Sequence, residues 1–220
     1  DPRLEGVTDI ASVDTWEGGL KVSTNMVNLY ATLFHNKFEG LSSVQFLPGG
    51  NVAQVGGAKA TGVEVEGALR PTSWFSLNGS LTYLDAKYDD FANSQVGDLT
   101  GARPGGIPEF SIATSATYTH DFGASGNSLI GRVDYSHESN VFINNGLQTI
   151  RDNNFRREVN LVNASLTLAL ANGFEVTGFV RNAFNERYIL TVFPSVAQQG
   201  SVSGYPNAPR TYGGTVRFKF

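Results

Sequence analysis

The sequence predicts an all-β protein, and within that class an antiparallel transmembrane β-barrel. Three observations carry the expectation. Arg210 to Phe220 alternates strictly, with Tyr212, Gly214, Val216, Phe218 and Phe220 on one parity and Thr211, Gly213, Thr215, Arg217 and Lys219 on the other. Successive side chains of a strand face opposite ways, so this stretch has one apolar face and one cationic face. The connections between strand-like runs alternate short and long, as in barrels with turns on one rim and loops on the other. Aromatics gather at the ends of the runs, at Trp16, Trp74, Phe75, Tyr83, Tyr88, Phe110, Tyr118, Phe122, Tyr135, Tyr188 and Tyr212, which suits two interfacial girdles.

Composition agrees. Hydrophobic residues make up 40% of the 220 and charged residues 16%, low in charge against the roughly 25% of ordinary globular domains. No apolar run approaches the roughly 18 residues of a membrane helix. A barrel reconciles the two facts, because half of each strand is polar. The absence of Cys excludes a disulfide framework, thiolate metal sites and a Cys nucleophile. A net charge of −4 argues against nucleic acid as a partner, which would call for a basic stripe. No signal peptide begins at Asp1, so an export signal is expected upstream. The whole of 1–220 reads as a single β-barrel segment.

In order along the chain, Asp1 to Asp14 reads as a loop and Thr15 to Ser23 as the first strand, with Trp16, Gly18, Leu20 and Val22 on one parity. Thr24-Asn25 turns the chain into a long run, Met26 to about Phe46, whose parity is ambiguous; a bulge would explain that. Leu47 to Gly57 reads as a Gly-rich loop. Ala58 to Arg70 alternates Val63, Val65, Gly67 and Leu69 against Glu64, Glu66, Ala68 and Arg70. Pro71 to Trp74 turns into Phe75 to Tyr83, and Asp85 to Glu109 reads as a long polar loop. Phe110 to His120 and Ser128 to His137 form a hairpin about Asp121 to Asn127. A loop from Glu138 to Arg157 precedes Glu158 to Leu170 and Phe174 to Asn182, which pair across Ala171-Asn172-Gly173. A last loop, Leu190 to Pro209, leads into the final strand. That makes about nine strands, each near the ~9–11 residues a tilted membrane strand needs.

Known site patterns fail on this chain. Asp85, Asp89, Asp90 and Asp98 invite calcium, but counting from Asp85 puts Lys87, Asp90 and Val96 where an EF-type loop needs an oxygen ligand, Gly and an acid. His137-Glu138 does not extend to a zinc helix, since Val141 holds the last place. The glycines near Gly49 and Gly56 precede no Lys-Ser or Lys-Thr pair. Asn78 and Asn163 match a glycosylation pattern inside strands, where it is discounted. No elbow surrounds any Ser. Neither catalysis, a metal nor a cofactor is expected. Glu64, Glu66, Arg132, Asp134, Arg181 and Arg217 fall on the polar parity, either as a lumen that meets a plug or guides an anionic substrate, or as a plain wetted wall with cross-strand charge pairs. Tyr88, Phe91, Phe142, Phe193 and Tyr205 lie in long loops as candidate ligand contacts, or as aromatics that pack loops together.

Four stretches carry a family resemblance: Gly62-Val63-Glu64-Val65-Glu66; Tyr83-Leu84-Asp85-Ala86-Lys87-Tyr88-Asp89-Asp90-Phe91; Arg181-Asn182-Ala183-Phe184-Asn185-Glu186-Arg187-Tyr188; and Pro209-Arg210-Thr211-Tyr212-Gly213-Gly214 running into Phe220. In order and spacing they resemble the C-terminal portion of a TonB-dependent outer-membrane receptor, from Trp16 onward. The resemblance implies a barrel of about 22 strands around a plug, an N-terminal coupling box, and uptake of a scarce nutrient such as a ferric siderophore. Its implied partners are outer-membrane lipid, the barrel-assembly machinery, the TonB energising complex reached through the N-terminus, the plug and N-terminal barrel strands, and the small-molecule ligand. Tyr212, Val216, Phe218 and Phe220 then resemble the family's membrane-insertion signal. Plug, coupling box and more than half the strands are missing, so the chain is expected to be a C-terminal fragment. Two rivals stay open: a self-contained small outer-membrane barrel serving as structural protein, adhesin or enzyme, and a soluble carbohydrate-binding β-sheet protein.

Overall fold

The computed structural model describes residues 11–47, 50–92, 94, 96–144, 152, 154–194, 198 and 201–219. Eleven strands occur among them. They are β1 (Ser12–Ser23), β2 (Val27–Leu47), β3 (Gly50–Thr72), β4 (Phe75–Asp90), β5 (Phe110–Asp121), β6 (Ser128–Phe142), β7 (Arg156–Ala169), β8 (Phe174–Arg181), β9 (Ile189–Pro194), β10 (Val202–Pro206) and β11 (Thr211–Phe218). Nine form one antiparallel sheet in the order β1-β2-β3-β4-β5-β6-β7-β8-β11, and β9 with β10 form a separate hairpin. Each sheet strand except β11 follows its neighbour in sequence, so the sheet is an up-and-down meander.

The short turns are built by local chemistry. Thr24 accepts at its Oγ1 from the Val27 amide at 2.9 Å while its own amide donates to the Val27 carbonyl at 2.8 Å. A Thr hydroxyl closing such a turn replaces a backbone partner. Gly123 and Gly126 take positive φ in the turn between β5 and β6, and Gly173 does so between β7 and β8. A side chain at Gly173 would collide with the Lys219 carbonyl, so glycine is required there by space as well as by backbone.

Parity holds across the whole sheet. The row Leu20, Ala31, Val65, Leu81 and Ile112 runs unbroken over five strands on one face. The row Lys21, Tyr30, Glu66, Ser80 and Ala113 runs beside it on the other. Val176 stands opposite Val216 on the apolar face, and Thr177 opposite Thr215 on the polar face. All six residues read as polar-parity from the sequence share that polar face: Glu64, Glu66, Arg132, Asp134, Arg181 and Arg217.

Among the described residues the sheet has no core of its own. Trp16 is 76% exposed, Leu20 and Leu33 63%, Val216 67% and Tyr212 84%, all on the apolar face. The buried apolar residues are Ala86, Leu99, Val141, Ile143, Val159 and Val192, all towards the end where the long loops lie. A soluble sheet protein would cover such an apolar face with a second layer. Here lipid is the physical substitute, and the soluble reading loses its basis. Between Gly67 and Gly79 the apolar face dips into a groove of about 370 Å³ flanked by Leu29, Leu69, Leu77 and Leu81.

Several expected boundaries move. Of the stretch from 47 to 57, read as a loop, Leu47 and Gly50–Gly57 are strand: β2 and β3 stay paired to Leu47↔Gly50. Glycines do not prevent this, because ladder bonds come from the backbone. The strict short-long alternation of connections therefore breaks at this hairpin, which instead projects as a long two-stranded ribbon. The ambiguous parity of β2 resolves as a register shift between Phe38 and Leu41 with Gly40 at φ 68°, a bulge. Strand β4 runs on to Asp90 and β6 to Phe142, so both loops after them are shorter than expected. Strands of 21 and 23 residues also exceed the expected length, since pairing continues past the apolar rows. The last loop contains the β9–β10 hairpin. Phe220 lies outside the described residues.

The apolar face yields a first test. Val216→Arg should abolish stable insertion into bilayers, since a cation facing lipid near the midplane costs about 2–4 kcal/mol. Thr215→Arg, on the opposite face, should insert normally. A bilayer-folding assay that scores both variants alike would refute the assignment of faces.

Candidate functional site

The long connections all emerge at one end of the sheet, and that rim has its own packing. The connection from 91 to 109 folds back on β4. Gly101 donates to the Tyr88 carbonyl at 2.8 Å, Tyr88 to the Ala102 carbonyl at 2.9 Å, and Leu99 to the Phe91 carbonyl at 3.0 Å. Leu99, 2% exposed, plugs the fold of this loop. Tyr88 and Phe91 stack at 4.8 Å, and Phe91 lies against Gly56, where a Cβ would stand 2.9 Å from its ring. Arg103 reaches the Leu84 carbonyl at 2.8 Å and the carboxylates of Asp85 and Glu109 at 3.6 and 3.8 Å. Asp98 accepts from the Thr100 amide at 2.8 Å; the Thr100 hydroxyl first, then its amide, holds the Asp98 carboxyl below its ordinary range.

The next connection joins this one. Gly106 donates to the Phe142 carbonyl at 2.7 Å. Phe142 carries the Arg156 guanidinium 3.9 Å over its ring, and Arg156 also donates to Asn140 at 2.8 Å. Ile143 and Val192 form a small core with Phe155 and Ile189, which binds this connection to the β9–β10 hairpin. Arg157, half-enclosed between them, donates to Glu138 at 2.9 Å and to the Leu190 carbonyl at 3.1 Å.

The hairpin itself is clamped at its root by asparagines. Asn182, 5% exposed, takes a left-handed φ of 51°, and Asn185 one of 56°. Asn tolerates that region because its short side chain bonds locally. The Asn182 side chain accepts from the Glu186 amide at 2.7 Å and donates to the Glu186 and Ala208 carbonyls at 2.9 and 3.0 Å. Asn207 accepts from the Tyr188 amide at 3.0 Å and donates to the Glu186 carbonyl at 2.9 Å. Asn185 accepts from the Arg210 amide at 3.1 Å. Burial, above all, pushes the Tyr188 phenol up from its ordinary value. Beyond the clamp, Phe193 and Tyr205 meet edge to face at 5.9 Å across β9 and β10, 54% and 57% exposed.

Against known proteins, a family model described as "TonB dependent receptor-like, beta-barrel" matches residues 11–183. The chain belongs to that family. Comparison with curated protein sequences gives no match. Among solved structures, the ferric yersiniabactin uptake receptor FyuA from Yersinia pestis is similar over 96% of this chain and 30% of its own, with 19% identity and a TM-score of 0.76. The ferripyoverdine receptor of the Pseudomonas aeruginosa outer membrane is similar over 96% and 27%, at 14% identity and 0.65. The copper transporter OprC is similar over 96% and 31%, at 14% and 0.66. At such identities the likeness shows the fold alone. The chain spans under a third of the length of these structures.

Within this TonB-dependent receptor barrel, the five candidate contact aromatics do not gather into one site. Tyr88 and Phe91 form a packed pair that anchors a loop to β3 and β4, Phe142 is occupied by Arg156, and Phe193 with Tyr205 remain an open pair. On the polar face Arg132 and Asp134 bond each other at 2.6 Å. Arg217 lies 3.7 Å from Glu175, which also takes Lys219 at 2.5 Å. Arg181 sits 5.3 Å over the Phe179 ring. The asparagine clamp carries no expectation from sequence, although Asn182 and Asn185 lie in a stretch that marks the family resemblance. Their spacing has no chemical reading until Asn207 and Arg210, over 20 residues on, come back beside them.

The clamp predicts a hierarchy of variants. Asn182→Gly keeps the backbone free but orphans the Glu186 amide, worth about 1–3 kcal/mol when buried, and leaves the Glu186 and Ala208 carbonyls with Asn207 as their remaining side-chain donor. Asn182→Ala should be worse, adding left-handed strain. Hydrogen exchange at Glu186 and Tyr188 should accelerate in that order, while exchange in β5 and β6 stays unchanged.

Proposed function

We propose that this chain is the C-terminal portion of the barrel of a multi-pass outer-membrane receptor that takes up a scarce small-molecule nutrient, a ferric siderophore being the first candidate class. The observation that carries the reading is the open Phe193–Tyr205 pair on a hairpin clamped to the rim at which the polar face ends. Rigid aromatics exposed at the mouth of a conduit offer a large contact area at little entropic cost. Neighbouring structures named as receptors for ferric siderophores support the ligand class; a copper transporter among them shows that this fold does not choose the cargo.

In this reading the short turns face the periplasm and the long connections face outward. The rim captures ligand; the polar face of Glu64, Glu66, Arg132, Asp134, Arg181 and Arg217 lines the conduit and meets the plug. Energy enters from the TonB complex through a plug and coupling box expected upstream. The terminal alternation ending at Phe218 and Phe220 would be read by the barrel-assembly machinery. No residue of this chain is assigned a covalent step: its work is to enclose, to present the hairpin, and to keep charges of both signs along a wet path.

The test uses the receptor that contains this chain. Phe193→Ala with Tyr205→Ala should weaken ligand binding about tenfold, equivalent to ~1.4 kcal/mol, with the barrel still folded. Matched substitutions at Phe122 and Ser125, in a short turn, should leave binding at the wild-type level. Loss of binding in the turn variant with retention in the hairpin variant would invert the orientation.

A further inference from the structure

The outward-facing parity changes character within three rows. Leu33, Val63 and Tyr83 form one row; His35, Thr61 and Asp85 form the next towards the long-loop rim; Lys37, Lys59 and Lys87 form the one after that. Three lysines therefore stand directly opposite one another on adjacent strands, which run about 4.8 Å apart. Like charges in that relation destabilise a sheet. Each ammonium is held by one carboxylate on the same face: Lys37 by Glu39, Lys59 by Asp89 and Lys87 by Asp85, all at 2.7 Å. Asp14 of β1 is opposite Lys37, and Asp85 also has Arg103 at 3.6 Å. The lysine side chains stay 46–49% exposed, and ion pairs so exposed to water hold weakly.

We propose that the Lys37–Lys59–Lys87 row binds phosphate groups of the lipid headgroups packed around the long-loop end of the barrel. The row continues the same face that, four residues away along each strand, is apolar, so an acyl chain lying on Leu33 and Val63 brings its headgroup to the lysines. A phosphate accepts from more than one ammonium at once, which relieves the repulsion along the row that the single carboxylates relieve only one lysine at a time. On binding, Asp85 keeps Arg103, while Glu39 and Asp89 return to water. Free phosphate would have to compete with those carboxylates from dilute solution; a headgroup is held at high effective concentration by its own acyl chains. The inference rests on the apolar parity facing lipid, which the Val216 and Thr215 variants test separately.

The experiment measures phosphorylated lipid retained per receptor, by mass spectrometry after extraction from outer membranes in mild detergent. Heat-modifiable electrophoretic mobility reports folding. The triple variant Lys37→Gln, Lys59→Gln, Lys87→Gln should retain well over fivefold less, fivefold being about the worth of a single lysine at an anionic surface. The triple Lys→Arg variant and Lys21→Gln, a lysine of the opposite face, should retain wild-type amounts. Excess inorganic phosphate should not elute the lipid. Should the triple variant fail to fold, Lys59→Gln, the central position, gives the same reading with a smaller loss. A folded Gln variant that keeps its lipid, an equal loss in Lys21→Gln, or elution by inorganic phosphate would each overturn the proposal. Normal insertion of Val216→Arg would instead remove the lipid face on which it stands.

Discussion

Every backbone amide and carbonyl that lies in hydrocarbon must find a partner in the neighbouring strand, because no water is there to take its place. That requirement organises the chain. It explains a meander in which sequence neighbours are sheet neighbours, since each strand pairs first with the one delivered by the shortest turn. It also explains why side chains are almost free to vary: the ladder uses only backbone. Glycines such as Gly67, Gly79 and Gly178 sit within strands that would be weakened by them in water. With both neighbours bonded, each loses only the packing of its own side chain.

Freedom of side chain does not extend to face. The pairing register runs unshifted from β1 through Val27–Phe38 of β2 to Ala58–Leu69 of β3, and a one-residue slip anywhere would carry an entire apolar set to the wet face. Among the described residues the sheet's register shifts fall at Phe38–Leu41, at Gly57–Ala58 and at Glu138–Val141, towards the long-loop rim, and at Leu69–Thr72 beside a short turn. At either rim water can take up an unpaired group. At the long-loop rim the strands can curve and the charged residues of the outward parity, Lys37, Lys59 and Asp85 among them, can begin.

What the sequence made legible follows from the same physics. The strand β11 was readable because alternation needs only parity, and the polar set from Glu64 to Arg217 followed without knowledge of any contact. The facing ends of β2 and β3 were not, since Gly50, Gly56 and Gly57 resemble a loop by composition while a ladder is indifferent to composition. The extension of β4 through Asp85 to Asp90 was hidden for a related reason: charged residues signal a loop, yet a strand that has left the membrane can carry them on either face. Phe91, aromatic and in a connection, read equally as a ligand contact or as an aromatic that packs loops together. Only its fit against Gly56, 35 positions earlier in the chain, shows that it holds the loop down.

The rim follows different rules from the wall. Wall stability comes from the ladder and the surrounding lipid, whereas the rim supplies its own: Leu99 for one connection, Ile143 and Val192 with Phe155 for the next two, and the asparagines for the hairpin root. These devices are small and separable, so the sequence beyond them can change without cost to the barrel. That separation accounts for structures that keep this fold at TM-scores of 0.61 to 0.76 while sharing only 13–19% of residues. A wall that specifies faces rather than residues conserves shape alone. The clamp made by Asn182, Asn185 and Asn207 sits where the two regimes meet. It must satisfy backbone groups as a ladder would, but with side chains, because past the Ala183 amide, which still donates to the Val162 carbonyl of β7, the chain has left the ladder.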